Sequence, residues 1–315
     1  MVEIRRTRLA PSPTGALHLG NARTFLINWS LARRLGWAIT LRIEDLDTPR
    51  TRPGADAQAI ADLHWLGLDW DQGPTWQQAD LSPYAAALDR LRGRGLVYPC
   101  RCTRREIQQA LSAPHGDDHE LRYPGMCRPT AGAAAGGPGE PSAWRLIVPD
   151  ESIAFDDAIH GPQQVNVQRQ VGDFVVATKS ALPAYQLAVV VDDARQGITD
   201  VVRGDDLLGS TGRQLLLYRL LELPDPPRYW HLPLVLGPDG RRLAKRHGDT
   251  RLAAYRDQGV SPECVVGLLA FWSGVSPTRA AMTARDFAER FDLARLPRAP
   301  VTFTAADHAW VAEGE

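Results

Sequence analysis

Four groups of residues combine side-chain types and spacings that chemistry would use. The first is Arg8-Leu9-Ala10-Pro11-Ser12-Pro13-Thr14-Gly15-Ala16-Leu17-His18-Leu19-Gly20-Asn21, a proline-rich turn leading to a His-x-Gly. Such a turn sets His18 and Gly20 at the start of a helix, where free N–H groups and the positive dipole end favour phosphate. Gly20, without a side chain, lets a flat base or ribose approach the backbone. The second group, Arg42-Ile43-Glu44-Asp45-Leu46-Asp47, ends a strand-like stretch in carboxylates. The third, Arg241-Arg242-Leu243-Ala244-Lys245-Arg246-His247-Gly248-Asp249, is a basic loop after the turn Gly237-Pro238-Asp239-Gly240. Lys179 and Lys245 are the two lysines among 36 basic residues, so a lysine kept in this loop suggests a need for a compact ammonium. The fourth is Cys100-Arg101-Cys102 with Cys127: thiolates are natural Zn ligands, and a structural site wants four donors. His115, His119 and Tyr123 are candidates for the fourth place, and generic chemistry favours a histidine.

The elements that must position these groups follow from pattern. Residues near 4–10 read as a strand, 19–35 as a helix, 39–43 as a strand and 56–66 as a helix, which together predict a parallel βαβ unit with ligands at the carboxyl ends of the strands. A break is expected at Tyr98-Pro99-Cys100, and Thr130 to Ser142, almost all Ala, Gly and Pro, reads as a flexible loop inside an inserted module. Sheet-like sequence resumes at Asp173 to Ala177 and at Leu187 to Val191, and Gln214 to Leu221 is helical. Pro262 marks the first turn of a small helical domain that continues through Trp272.

Composition bounds the class. The chain has 315 residues, 44% apolar, with a formal net charge of -1, so two or three subdomains are expected and any RNA site must be a local patch. Arg90, Arg92, Arg94, Arg101, Arg104 and Arg105 form one candidate, with a solvated helix face as the plain alternative. No window reaches the roughly 20 apolar residues of a membrane span, and the N-terminus lacks a signal-peptide core, so a cytoplasmic protein is expected. Four cysteines in such a chain argue against a disulfide framework. Cys264, in an apolar context, reads as an inert core thiol.

The first run resembles the HIGH signature of class I aminoacyl-tRNA synthetases, in their glutamyl and glutaminyl branch. The resemblance implies that His18, Gly20, Asn21 and Lys245 bind ATP, with His18 and Lys245 catalytic, and that Arg8, Ala10, Ser12 and Glu44 bind the amino acid. Arg8 would grip a carboxylate bidentately, and Glu44 would accept from the α-ammonium. Tyr185 and Arg203, in segments similar to the glutamyl branch, are expected on the side-chain carboxylate of glutamate. The basic loop looks like a degenerate KMSKS motif, with Arg242 for the first lysine and Ala244 for the serine. Asn21 likewise replaces a histidine.

The cysteine module with Tyr123-Pro124-Gly125-Met126-Cys127 resembles the narrower family of glutamyl-queuosine tRNA(Asp) synthetases, which implies Tyr123 beside Cys100, Cys102 and Cys127 on a structural Zn²⁺. The implied fold is α/β: a Rossmann-like parallel sheet formed by residues 1–98 and 165–225, an inserted module with the zinc site at 99–164, and a KMSKS-like loop with a stem-contact helical domain at 226–315. The implied activity is ATP- and Mg²⁺-dependent formation of glutamyl-adenylate, followed by transfer to the queuosine cyclopentenediol of tRNA(Asp), by a monomer. About forty residues follow Trp272, fewer than an anticodon-reading domain needs. The alternatives are a truncated glutamyl-tRNA synthetase that esterifies the terminal ribose, and a non-catalytic tRNA-binding paralogue. A nucleotidyltransferase sharing His-x-Gly does not account for Glu44, Tyr185 and Arg203 together.

Overall fold

The computed structural model describes residues 4–110, 122–129, 141–243 and 249–313. The first half runs β1 (Arg6–Leu9), α1 (Leu19–Leu35), β2 (Ala38–Ile43), α2 (Ala55–Trp65), β3 (Gln72–Trp76) and α3 (Ser82–Gly93). Then come β4 (Val97–Cys100), α4 (Arg104–Ala110), β5 (Ala143–Leu146), β6 (Ile153–Asp157), β7 (Gly161–Val165), α5 (Val167–Gln170), β8 (Val175–Ala177) and α6 (Tyr185–Arg195). The chain continues through β9 (Asp200–Gly204), α7 (Ser210–Leu220), β10 (Arg228–Leu232) and β11 (Val235–Leu236). It ends in α8 (Leu252–Asp257), α9 (Pro262–Trp272), α10 (Ala284–Arg290), β12 (Val301–Thr302) and α11 (Ala305–Glu313).

β1, β2 and β3 pair in parallel, and β9, β10 and β6 form a second parallel group with β7 antiparallel at its edge. The groups meet between β1 and β9: the Thr199 N–H donates to Arg6 O at 2.9 Å, and the Arg6 N–H to Thr199 Oγ1 at 2.8 Å. From that line the chain winds one way through β2 and the other through β10, so the carboxyl ends of β1 and β9 flank a crevice where an open α/β sheet takes its ligands. Arg8 stands at one lip and Arg203 at the other.

β6 and β7 lie in this sheet, although the sequence placed them in the inserted module at 99–164, and β10 joins it from the segment assigned to the last unit. A separate antiparallel sheet, β4-β5-β8, carries the cysteine module. The break expected at Tyr98-Pro99-Cys100 is a strand: β4 pairs on one side alone, with β5, and an edge strand tolerates a proline that cannot donate.

The largest correction concerns Leu187 to Val191, expected as sheet and found in α6. Gln186 through Asp193 are all buried, so every face of this helix packs and no amphipathic period exists to be read. The three valines lose at most ~0.7 kcal/mol each in helix propensity, against about 1.5–3 kcal/mol for burying each side chain. Burial wins, with α6 packed among α3, α7 and β8. By contrast α1 shows the predicted bounds, closed by Gly36 at φ 68° in the left-handed conformation. α9 to α11 pack on α1 in one core containing Leu26, Leu268, Trp272, Phe287 and Val311. No helix among the described residues is long and apolar enough to cross a membrane. The loop expected at Thr130 to Ser142 falls outside the described residues for 130–140.

Candidate active site

His18 is the N-cap of α1, and its ring closes the helix start. Its Nδ1 accepts from the N–H of Gly20 at 3.1 Å and of Asn21 at 3.4 Å, while Asn21 Oδ1 accepts from the His18 N–H at 3.2 Å. The Leu19 N–H goes to Thr250 O at 3.1 Å. The expectation of free N–H groups for phosphate therefore gives way to a different device: with Nδ1 an acceptor, the neutral ring carries its proton on Nε2, the one donor left to offer a ligand. Burial, reinforced by the charge of Arg242, lowers the His18 pKa to about 4, so the ring is neutral at physiological pH. A methyl in place of a Gly20 hydrogen would lie 3.0 Å from His18 Cε1, so Gly20 leaves room for that ring as well as for a ligand. Asn21, which replaces the histidine of the signature, serves the cap.

The end of the cleft lined by Arg8 and Glu44 is a charge network. Arg8 is 5% exposed, with Nε 3.4 Å from Asp193 Oδ1 and Nη1 donating to Val202 O at 3.4 Å. Behind it the buried Arg42 reaches Asp193 Oδ1 at 2.8 Å and Glu44 Oε1 at 3.1 Å. Burial alone would lower the Arg42 pKa; Asp193, Glu44 and Asp192 override it and hold the pKa raised. The Glu44 carboxyl is pushed up, because burial outweighs the attraction of Arg42 and Arg8. Arg42 and Asp193 were not singled out from sequence. The signal available was an Arg two residues before Glu44 on the same face of β2.

Arg203, 5% exposed, donates through Nε to His231 Nε2 at 2.9 Å, through Nη1 to Gln214 Oε1 at 2.9 Å, and through Nη2 to Thr211 Oγ1 at 2.9 Å and Leu207 O at 3.3 Å. Every one of these acceptors is neutral, and no carboxylate among the described residues pairs with this buried cation. Tyr185 opens α6 and is 42% exposed. Arg8, Ala10, Ser12, His18, Gly20, Asn21, Glu44, Tyr185 and Arg203 line one cleft of about 740 Å³, so the sequence-predicted residues that the structure describes converge.

Lys245 lies outside the described residues, as do His115 and His119. The segments flanking the basic loop are in place: the Leu243 N–H donates to Val235 O at 3.0 Å, and the Leu252 N–H at the start of α8 to Leu17 O at 2.9 Å, which ties the loop's exit to the segment carrying His18. Arg242 pairs with Asp206 at 2.6 Å. The basic patch is partly structural, since Arg90 donates to Leu221 O at 2.7 Å and Arg92 lies 4.6 Å over the Trp144 ring.

Cys100, Cys102 and Cys127 hold their sulfur atoms within 4.8 Å of one another and can bind a metal ion. The Tyr123 hydroxyl lies 3.5 Å from Cys100 Sγ and 3.8 Å from Cys102 Sγ, so the phenol shares the cluster. Arg145 donates to Cys100 Sγ at 3.2 Å with its guanidinium 3.7 Å over the Tyr123 ring, a cation that offsets thiolate charge. Cys264 is a buried thiol in α9, apart from this cluster.

Comparison with known proteins identifies the family. The family model described as "tRNA synthetases class I (E and Q), catalytic domain" matches residues 4–310. The "Glutamyl-Q tRNA(Asp) synthetase" of Symbiobacterium thermophilum is 50% identical over 98% of both chains, and that of Rhodopirellula baltica 46% identical over 93% of this chain and 94% of its own. The "Glutamate--tRNA ligase" of Geotalea uraniireducens is 38% identical over 99% of this chain and 66% of its own. Among solved structures, a glutamate tRNA ligase from Elizabethkingia meningosepticum, crystallised with its amino acid, has a TM-score of 0.81 at 29% identity, over 98% of this chain and 69% of that one. The cleft residues and these similarities lead to one conclusion: the chain belongs to the glutamate and glutamine branch of the class I tRNA synthetases.

Proposed function

We propose that this protein activates L-glutamate with ATP and transfers the glutamyl group to the cyclopentenediol of queuosine at the wobble position of tRNA(Asp). The observation that carries the substrate half is Arg203, a buried cation whose partners are all neutral. A dicarboxylate supplies the missing counter-charge, and glutamine does not. The acceptor half rests on the relatives: 50% identity to a glutamyl-Q tRNA(Asp) synthetase against 38% to a glutamate–tRNA ligase.

In the first step an oxygen of the glutamate α-carboxylate attacks the α-phosphorus of ATP, forming the acyl-phosphate bond as the bond to pyrophosphate breaks. The carboxylate is already ionised, so the step needs positioning and charge stabilisation, with no general base. Glu44 holds the α-ammonium, Arg8 and Arg203 the carboxylates, and the Nε2 hydrogen of His18 an ATP phosphate oxygen. The Lys245 ammonium follows the departing pyrophosphate. Mg²⁺, bound with ATP, would supply charge neutralisation on the phosphates. In the second step the acceptor hydroxyl attacks the acyl carbon, its proton passes to a phosphate oxygen of the departing adenylate, and AMP leaves with the electron pair of the acyl–oxygen bond.

The thiol cluster suits Zn²⁺ with Tyr123 as fourth ligand. Zn–S bonds of about 2.3 Å imply sulfur separations of about 3.8 Å in a tetrahedron; Cys102 and Cys127 lie 3.3 Å apart, the Tyr123 hydroxyl lies 3.5 Å from Cys100 and 3.8 Å from Cys102, and all three sulfurs fall within 4.8 Å of one another. Such a site is structural and braces the module built on β4, β5 and β8. A tRNA acceptor places the activity in the cytoplasm, and we take the working unit as a monomer.

The test is labelled glutamate plus ATP with tRNA whose 3′-terminal adenosine has been removed enzymatically, with and without queuosine; periodate would not serve, because it cleaves the cyclopentenediol as well as the terminal ribose. Label retained solely on queuosine-containing tRNA supports the proposal. Label abolished by removal of the terminal adenosine makes the acceptor the terminal ribose, the reading that the likeness to glutamate–tRNA ligases favours. Absence of glutamate-dependent pyrophosphate exchange leaves a tRNA-binding paralogue.

A further inference from the structure

Two buried residues that no motif contains stand directly behind Arg203. His231, on β10, is 0% exposed; its Nδ1 lies 2.6 Å from Asp157 Oδ2 on β6, and its Nε2 accepts from Arg203 Nε at 2.9 Å. Asp157 is 3% exposed, and its other oxygen is occupied by the N–H groups of Ile159 and His160, both at 2.9 Å. An arginine has no acceptor, so the imidazole must face it with a bare nitrogen and carry its proton on Nδ1, toward the carboxylate.

We propose that His231 and Asp157 are positioning residues for Arg203: Asp157 locks the His231 tautomer, and the neutral ring aims the guanidinium while keeping the Asp157 charge from pairing with it. A carboxylate placed directly on Arg203 would neutralise it and compete with the substrate's own. One neutral ring between the two preserves the orientation and leaves the positive charge to the ligand. Burial, with the nearby Arg203 charge adding, lowers the His231 pKa against the pull of Asp157, which accords with a neutral ring. The arrangement resembles the orientation of a metal-bound histidine by a carboxylate, with a guanidinium in place of the metal. The inference rests on Arg203 holding the side-chain carboxylate of glutamate.

Asp157→Asn is the decisive variant. The Asn oxygen keeps the backbone N–H groups of Ile159 and His160, so its amide N–H₂ faces His231 Nδ1 and forces the proton onto Nε2, against the Arg203 N–H. ¹⁵N spectra of histidine-labelled full chain, with His231 assigned by difference from His231→Gln, are expected to show Nδ1–H and a bare Nε2 in the parent, exchanged in Asp157→Asn. In pyrophosphate exchange, Asp157→Asn is expected to raise KM for glutamate at least tenfold, with kcat and the KM for ATP within threefold of the parent. His231→Gln, whose Oε1 still accepts from Arg203, is expected to lie nearer the parent than His231→Leu. A parent ring protonated on Nε2 overturns the proposal, as does an unchanged glutamate KM in Asp157→Asn. Arg203→Met measured alongside separates the two ideas. If it raises the glutamate KM and Asp157→Asn does not, the relay alone fails. If neither does, the assignment of Arg203 fails and the relay with it.

Discussion

Replacing Arg203 by methionine isolates what the side-chain carboxylate of the substrate gains from this pocket. Four contacts to neutral acceptors use four of the five guanidinium N–H groups, leaving one on Nη1 for a ligand. A single charge-assisted hydrogen bond contributes about 1.5–3 kcal/mol, and stranding its buried partner without a counter-charge costs about 3–5 kcal/mol. A loss of about 2–5 kcal/mol corresponds to a fall in kcat/KM for glutamate of between about thirtyfold and several thousandfold. The proposed ATP contacts are at the His18 end of the cleft, so the KM for ATP is expected to stay within threefold. Thermal unfolding gives an independent reading: glutamate at a hundred times its Kd stabilises the parent by about 2.7 kcal/mol, and a hundredfold weaker site retains about 0.4 kcal/mol at the same concentration. Arg203→Lys keeps the charge without the fork and is expected to fall between the two. A folded Arg203→Met protein that binds glutamate within threefold of the parent refutes the reasoning.

Glu44 titrates above an ordinary carboxylate because burial disfavours its charge, and the charged form is the one that binds an ammonium, so the KM for glutamate is expected to rise as pH falls through that elevated pKa. Its linkage to stability has the opposite sign: the contribution is fully present below the unfolded-state pKa and lost as pH rises through the folded one, and Glu44→Gln should abolish both limbs. His18, with a pKa of about 4, gives no inflection near 6.5 in the pH profile of exchange; an inflection that vanishes in His18→Asn would count against a neutral ring. His18→Asn keeps a good N-cap and should lose exchange activity about a hundredfold with little change in Tm, whereas His18→Ala also loses about 1 kcal/mol of helix capping. Metal analysis of purified protein is expected to give one Zn²⁺ per chain, and Cys127→Ser to lower both that ratio and Tm while glutamate-dependent exchange survives; exchange lost in step with the metal would contradict a structural role.

How far the sequence could be read depends on what each feature needs from its surroundings. α1 is bounded by local devices, a proline-rich turn and cap before Leu19 and a left-handed Gly36 after Leu35, and both are visible as residue types. α6 is invisible because it packs on every side, which erases the period that distinguishes helix from strand. Pro99 reads as a break until its strand is seen to lie at an edge, a fact of pairing and not of composition. The site shows the same division. Residues within a run, such as Arg8, Ser12 and His18, are legible together, while Asp193, His231 and Asp157 act through partners 185, 28 and 74 positions away in sequence. A lone histidine in Trp230-His231-Leu232 reads as core, and it is core; its role appears when the neighbour across the strand pair, Arg203, is known.

The charges of the amino-acid end follow from that network. Arg8, Arg42 and Arg203 face Glu44 and Asp193, and Asp157 stands behind a neutral imidazole. Asp192, 3.8 Å from Arg42, adds a third carboxylate that Arg195 shares at 2.9 Å, so each of these acids has a guanidinium partner, and Arg203 is the guanidinium of the network with no acidic neighbour among the described residues, its charge the surplus. Glutamate brings two carboxylates and one ammonium, a net charge that cancels the surplus, whereas glutamine is neutral and leaves it buried. Discrimination between the two then follows from where the surplus sits: at Arg203, held by acceptors that orient it without quenching it. A pocket that paired Arg203 with Asp157 directly would fold with less strain on its electrostatics and would select for nothing.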